Sequence, residues 1–113
     1  MILITYEELQ NFLIQNELKY LPSQNEVSFP KIQRIHRRLQ QGHSFSPIQV
    51  SEGVISDGHH RYICLSLLEL DIEIKKAGKN TTYTTDYIWE NMNLDTEDHD
   101  TSEERNAYAE KYD

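Results

Sequence analysis

Five consecutive residues, Asp57-Gly58-His59-His60-Arg61, hold most of the groups in this chain that could do chemistry together. Val54-Ile55-Ser56 before them reads as a short strand, and the residues after them read as a buried helix. A strand that stops at Asp-Gly and passes straight into a helix leaves backbone N–H groups unpaired at the helix start. Those donors and the helix dipole favour an anion. Gly58 lets the backbone approach a ligand closely, and Arg61 can clamp a phosphate with two parallel hydrogen bonds. A cation in a helix's first turn opposes the dipole, so Arg61 there asks for an anionic companion. The same residues also fit a plain helix start, with Asp57 as N-cap and the histidines and arginine solvated. On residue types alone the two readings are level.

The elements that must position this turn can be read along the chain. Thr5 with Glu8 fits a capping box, and Tyr6, Leu9, Phe12 and Leu13 recur at helical spacing, which predicts a first helix from about Tyr6 to Asn16. Pro30 is placed to open a second helix with Ile32, Ile35 and Leu39 on one face and Lys31, Arg34, Arg37 and Arg38 on the other. Gly42 stands where a C-terminal cap belongs. Ile48 and Val50 alternate with Gln49 and Ser51 as a strand, and Glu52-Gly53 turns into the next one. The helix after the turn is expected to run from His59 to Leu70, with Ile72 and Ile74 on a further strand. The Thr81–Thr85 run fits no element well, and Asp86 is a candidate cap for a short helix carrying Tyr87, Ile88, Trp89 and Met92. This order predicts a small α+β domain, a mixed sheet with flanking helices, over residues 1–94.

Residues 95–113 differ in kind. They carry eight acids against two bases, a net of −6 out of the chain's −8. With few apolar anchors they are expected to be a disordered tail or a frayed surface helix. Residues 30–61 hold five cations against two acids, a local +3. An acidic protein with one small basic locale suits a small anion better than nonspecific nucleic acid, so DNA is not expected to bind this chain alone. The apolar start, Met1 to Ile4, is too short for a signal peptide or a membrane span, and the lone Cys64 cannot form an internal disulfide. A reducing cytoplasm is the expected setting.

Other constellations carry less. Adjacent His59 and His60 cannot easily aim at one ion, and no His-x-x-x-His or Cys-x-x-Cys spacing exists, so no metal site is expected. Arg34, Arg37 and Arg38 read as a solvated helix face rather than phosphate ligands. Trp89 reads as a packing anchor rather than a base-stacking platform, and Cys64 as a buried filler rather than a nucleophile.

The succession Gly42-His43-Ser44-Phe45-Ser46-Pro47-Ile48-Gln49-Val50, then Gly53-Val54-Ile55-Ser56-Asp57-Gly58-His59-His60-Arg61-Tyr62, resembles the core of the ParB/sulfiredoxin-like superfamily over about residues 30–75. The resemblance implies that this turn holds nucleotide phosphates through Gly58, His59, His60 and Arg61, with Pro47 and Ile48 beside the nucleotide. It implies ATP or ADP, with CTP as the alternative, and Mg2+. Sulfiredoxins put a cysteine where His59 stands, which argues against sulfinic-acid reduction. ParB partition proteins carry Glu-Arg-Arg there, which argues against DNA clamping. The free-serine kinases of this fold are similar in showing Asp-Gly-His-His-Arg itself. By that resemblance Asp57 would assist magnesium or proton handling, His60 would join the phosphate contacts and the chemistry, and Glu26 would be the base for the acceptor hydroxyl. The kinases are longer chains with a further substrate-binding domain. The reading is therefore a nucleotide-binding domain, with phosphotransferase or NTPase activity left open. The alternative is a non-catalytic adaptor that meets a protein or nucleic-acid partner, with the acidic tail as the surface for a protein.

Overall fold

The first helix starts where its cap residues place it. A computed structural model describes residues 3–77 and 87–112, and in it α1 spans Tyr6–Gln15. The Thr5 hydroxyl accepts the Glu8 N–H and donates to the Glu8 carboxylate, so both ends of the capping box are made. Leu9 and Leu13, one turn apart, are buried. Strand β1 (Glu26–Ser28) then runs straight into α2 (Phe29–Gln40). Ser28 is the N-cap, accepting the Lys31 N–H, and Pro30 occupies the first turn, where its missing donor costs nothing. The expected apolar face, Ile32, Ile35 and Leu39, is buried. At the far end His43 N–H reaches back to Arg38 C=O and Gly42 N–H to Leu39 C=O, the closure expected at Gly42.

Strands β2 (Ile48–Ser51) and β3 (Val54–Asp57) form an antiparallel hairpin joined by Glu52-Gly53. Both turn residues have positive φ (51° and 82°), the backbone twist that two-residue hairpins require. From β3 the chain enters α3 (His59–Leu67), and β4 (Ile74–Lys76) returns parallel to β2, giving the order β3-β2-β4. A second, two-stranded sheet pairs β1 in parallel with β5 (Asn93–Asp95), placing Glu26 opposite Asn93 and Ser28 opposite Asp95. The fold is α+β, with parallel and antiparallel pairings and four helices among the described residues. The core joins Leu9, Val27, Ile32, Ile48, Ile55 and Ile63, all fully buried. Each such side chain contributes about 1.5–3 kcal/mol by leaving water.

Several elements differ from the sequence reading. Helix α3 ends at Leu67, not Leu70, because Glu69 turns left-handed (φ 53°) and Leu70 N–H closes on Leu65 C=O. The expected short helix near Trp89 is a single 3-10 turn, Trp89–Asn91, preceded by Ile88. Asp86 and the Thr81–Thr85 run lie outside the described residues. In the acidic stretch the surface-helix alternative holds rather than the disordered one. Asp98 and Asp100 pair with α2, and α4 (Ser102–Tyr112) follows, started by a reciprocal box between Thr101 and Glu104. No helix among the described residues is long and apolar enough to cross a membrane.

Candidate functional site

Gly58 shapes the turn between β3 and α3. Its φ of +101° is left-handed, and no side chain caps the helix it begins. A Cβ at this position would lie 2.6 Å from Arg61 Nη2 and 2.9 Å from Ile48 Cδ1. The guanidinium of Arg61 therefore folds back across a surface that only glycine leaves bare, over the buried side chain of Ile48. Asp57 is not the helix cap: its carboxylate, 63% exposed, accepts from Arg61 Nη2 at 3.2 Å. Pro47 C=O accepts from the same nitrogen at 3.4 Å, while the Nε atoms of both Arg61 and Arg34 are buried with no partner among the described residues.

This turn opens onto a cavity of about 240 Å³. Asp57, Gly58, His60 and Arg61 form one wall. Facing them are Lys31, Arg34 and Arg38 of α2, with Lys111 of α4, so five cationic side chains meet two carboxylates, Asp57 and Asp100. Such a balance in a recess favours an anion. A groove of about 430 Å³ adjoins it, sharing Phe45, Ser46 and Arg61, and contains Pro47, Leu65 and Leu70. Arg61 thus stands between a cationic recess and a more apolar one.

The two histidines do not act as a pair. His59 is 4% exposed, lines neither recess, and accepts the Ser23 N–H on Nε2 at 2.9 Å, with its ring tilted against Trp89. His60 lines the cavity but also accepts a backbone donor, Ser28 N–H, on Nε2 at 3.0 Å. Each ring keeps its remaining proton on Nδ1, since Nε2 is an acceptor. Burial lowers His59 to about 4, against the opposing pull of Asp57. Burial, then Lys31 and the neighbouring histidines, lowers His60 to about 3. Both are neutral at neutral pH; His59 ties the Ser23 loop to α3, and His60 ties the end of β1 to it.

The α2 cations are not the solvated face that their spacing suggests. Arg34 grips Asp98 with both terminal nitrogens and reaches Asp100 at 2.7 Å, Lys31 adds a contact to Asp100 at 3.4 Å, and Arg38 is 3% exposed. The Arg34 guanidinium holds the Asp98 carboxyl well below the usual carboxylate range. Arg105 at the start of α4 also meets Asp98, at 3.2 Å. Trp89 is a packing anchor, 5% exposed, with Nε1 donating to Tyr20 C=O at 2.7 Å. Cys64 is buried, donates to Ile32 C=O, and has its pKa pushed up by burial, which suits a filler and not a nucleophile.

Glu26 is placed elsewhere. It lines neither recess and contacts His99, whose ring meets that of His60 edge-on. Two residues that organise the site were missed from sequence. Ser28 is fully buried and bonds Lys31 N–H, His60, Glu97 C=O and His99 N–H. Its position just before Phe-Pro was a legible helix-start signal. Asp100 carried none, because its partners Lys31 and Arg34 lie far away in sequence.

No protein-family model, curated protein or solved structure matches the chain.

Proposed function

We propose that the chain is a nucleotide-binding domain of the ParB/sulfiredoxin-like kind, holding ATP or ADP phosphates at the Asp57–Arg61 turn. The observation that carries this reading is Arg61. Its guanidinium lies at the wall of a cation-lined recess, and the carboxylate it meets, Asp57, is 63% exposed, whereas Arg34 in the same recess is already held by Asp98 and Asp100. An exposed pair of this kind is weak, so an incoming phosphate can take over the terminal guanidinium nitrogens. The recess alone falls short of the roughly 300–1,000 Å³ usual for small-molecule sites. Phosphates would therefore sit in it, and the rest of the nucleotide would lie in the adjoining groove beside Pro47. Gly58 and His60 complete the phosphate wall, and Asp57 is the carboxylate that would meet a nucleotide-bound Mg2+. His59 supports the site from behind rather than touching the ligand. A nucleotide ligand and an unpaired buried thiol both suit a cytoplasmic protein.

Calorimetric titration with ATP, ADP and CTP, each with magnesium, tests the proposal. Saturable heat is expected with at least one of them, and Arg61→Ala is expected to weaken it by about 2–5 kcal/mol. No heat with any nucleotide, or equal binding by the variant, would sink it. Phosphotransfer needs a base within hydrogen-bond reach of the acceptor hydroxyl, and Glu26 is turned toward His99. Binding is therefore the function proposed, with turnover no part of it.

A second reading, a protein-binding adaptor, draws on the exposure of α4 and its Glu103, Glu104 and Glu110. Charge reversal of those three should abolish capture of a basic partner while leaving nucleotide binding intact.

A further inference from the structure

Beyond the nucleotide recess, a second group of chemically capable side chains gathers where β1 and β5 pair. Glu26 stands at the start of β1 and Asp95 at the end of β5. The parallel register sets Glu26 opposite Asn93, so Asp95 lies two residues along on the same face. The chain then turns back within four residues and brings His99 over both. One ligand atom from each of Glu26, Asp95 and His99 lies within 4.8 Å of the other two. His99 Nε2 is 2.9 Å from Asp95 Oδ2 and 3.4 Å from Glu26 Oε1.

The supporting contacts leave one oxygen of each carboxylate directed at that shared point. Asn93 Nδ2 donates to Glu26 Oε2 at 2.7 Å, leaving Oε1 toward the imidazole. Glu97 N–H donates to Asp95 Oδ1 at 2.9 Å, leaving Oδ2. The backbone of His99 is tied to the buried Ser28 hydroxyl at 3.2 Å. Each prospective ligand is thus oriented by a partner of its own, as in metal centres whose outer contacts fix the inner ones. Ligand atoms about 2.0–2.2 Å from a cation are about 2.8–3.6 Å apart in tetrahedral or octahedral arrangements. The distances to Nε2 match that range. A single imidazole proton can lie along only one of the two contacts, whereas a cation between the three groups serves both. Two carboxylates and a neutral imidazole also supply the charge that balances a divalent ion.

We propose that Glu26, Asp95 and His99 bind one divalent transition-metal ion, with Zn2+ favoured over Mn2+, and with Mg2+ weakest. The mixed oxygen and imidazole donor set selects this class, and affinity at such sites rises toward the end of the first-row series. Solvent or a ligand would complete the coordination, since His99 and Glu26 are partly exposed. Bound there, the ion clamps β1 to β5, a pairing only three residues long that is marginal without support. The site stands independently of the nucleotide recess and is tested without nucleotide.

The experiment is titration of the chelator-treated full chain with ZnCl2, MnCl2 and MgCl2 separately. One equivalent of Zn2+ is expected to bind, more tightly than Mn2+, and to raise the melting temperature. Asp95→Asn and His99→Gln, which preserve shape, should each weaken Zn2+ at least tenfold with an unchanged far-ultraviolet spectrum. Glu26→Gln should weaken it less, because its contact is the longest. His43→Ala should leave it unchanged. Co2+ substitution should give visible bands that vanish in His99→Gln, which separates loss of a ligand from loss of fold. Absence of one-to-one Zn2+ binding, undiminished binding in both Asp95→Asn and His99→Gln, or loss in His43→Ala instead would overturn the proposal.

Discussion

The cation-lined recess has two sides that handle charge differently. On the α2 side, Lys31 and Arg34 already hold carboxylates from the chain itself, Asp98 and Asp100, with Asp100 only 4% exposed. On the α3 side, Arg61 meets Asp57, whose carboxylate is 63% exposed, through one terminal nitrogen at 3.2 Å. The first arrangement fastens the acidic stretch to the fold. The second is a single exposed contact at the wall of a cavity. Equal formal charge on two arginines is therefore used differently: Arg34 fastens the acidic stretch through several bonds, and Arg61 sits in one weak, exposed pair. Buried pairs with several bonds matter for folding in a way that half-exposed ones do not.

The largest expected effect tests this contrast directly. Arg34→Ala removes three charge-assisted bonds, leaving Asp98 to Arg105 and Asp100 to Lys31, and should cost roughly 3 kcal/mol in urea unfolding. Arg61→Ala should cost under about 1 kcal/mol in the same assay, since its pair is exposed. Equal losses from the two would erase the distinction. Next comes pH. The folded pKa of His59, about 4, lies below its ordinary 6.5, so between those values the unfolded chain binds the extra proton. Stability from this residue is fully present above about pH 6.5 and is lost as pH falls through about 4, on the order of 3 kcal/mol in all. His59→Gln keeps an acceptor for Ser23 N–H and should roughly halve the slope of a denaturant-midpoint profile between about pH 4 and 6.5, since His60 supplies the rest. An unchanged slope would show that His59 is accessible to protons in the folded state.

Smaller effects sharpen the Arg61 side and the acidic stretch. Gly58→Ala forces a left-handed alanine, costing about 1–2 kcal/mol, and its methyl displaces the guanidinium. Calorimetry should show nucleotide affinity falling by more than stability does. Thr101→Ala removes the box that starts α4 and should cost about 1 kcal/mol or less. Loss of helical circular dichroism with the α2 ion pairs intact would show that the pairs, not the helix, hold this stretch in place.

Local signals were legible and distant ones were not. Thr5 with Glu8, Gly42 and the Glu52-Gly53 hairpin all act through near neighbours, and the structure makes each as the spacing predicts. The end of α3 was misread because its left-handed residue is Glu69, with no glycine to mark it. The histidines were grouped with Arg61 because they adjoin it. Their bonding partners, Ser23 and Ser28, lie more than 30 positions away and turn them into acceptors for backbone N–H groups. The same distance hid the use of Arg34 and the convergence of Glu26 on His99. The start of α4 is a local signal too: Thr101 and Glu104 form a reciprocal box, which favours the surface-helix alternative over disorder.

Cys64 gives the molecule an internal clock. It is the chain's single cysteine, fully buried, and its thiol donates to a carbonyl of α2. A thiol-reactive dye added to native protein can modify it only when α2 and α3 part. The rate of labelling therefore counts those openings, molecule by molecule, without any engineered probe. A cysteine introduced on the surface would react first and separately, leaving Cys64 to time the breathing of the core.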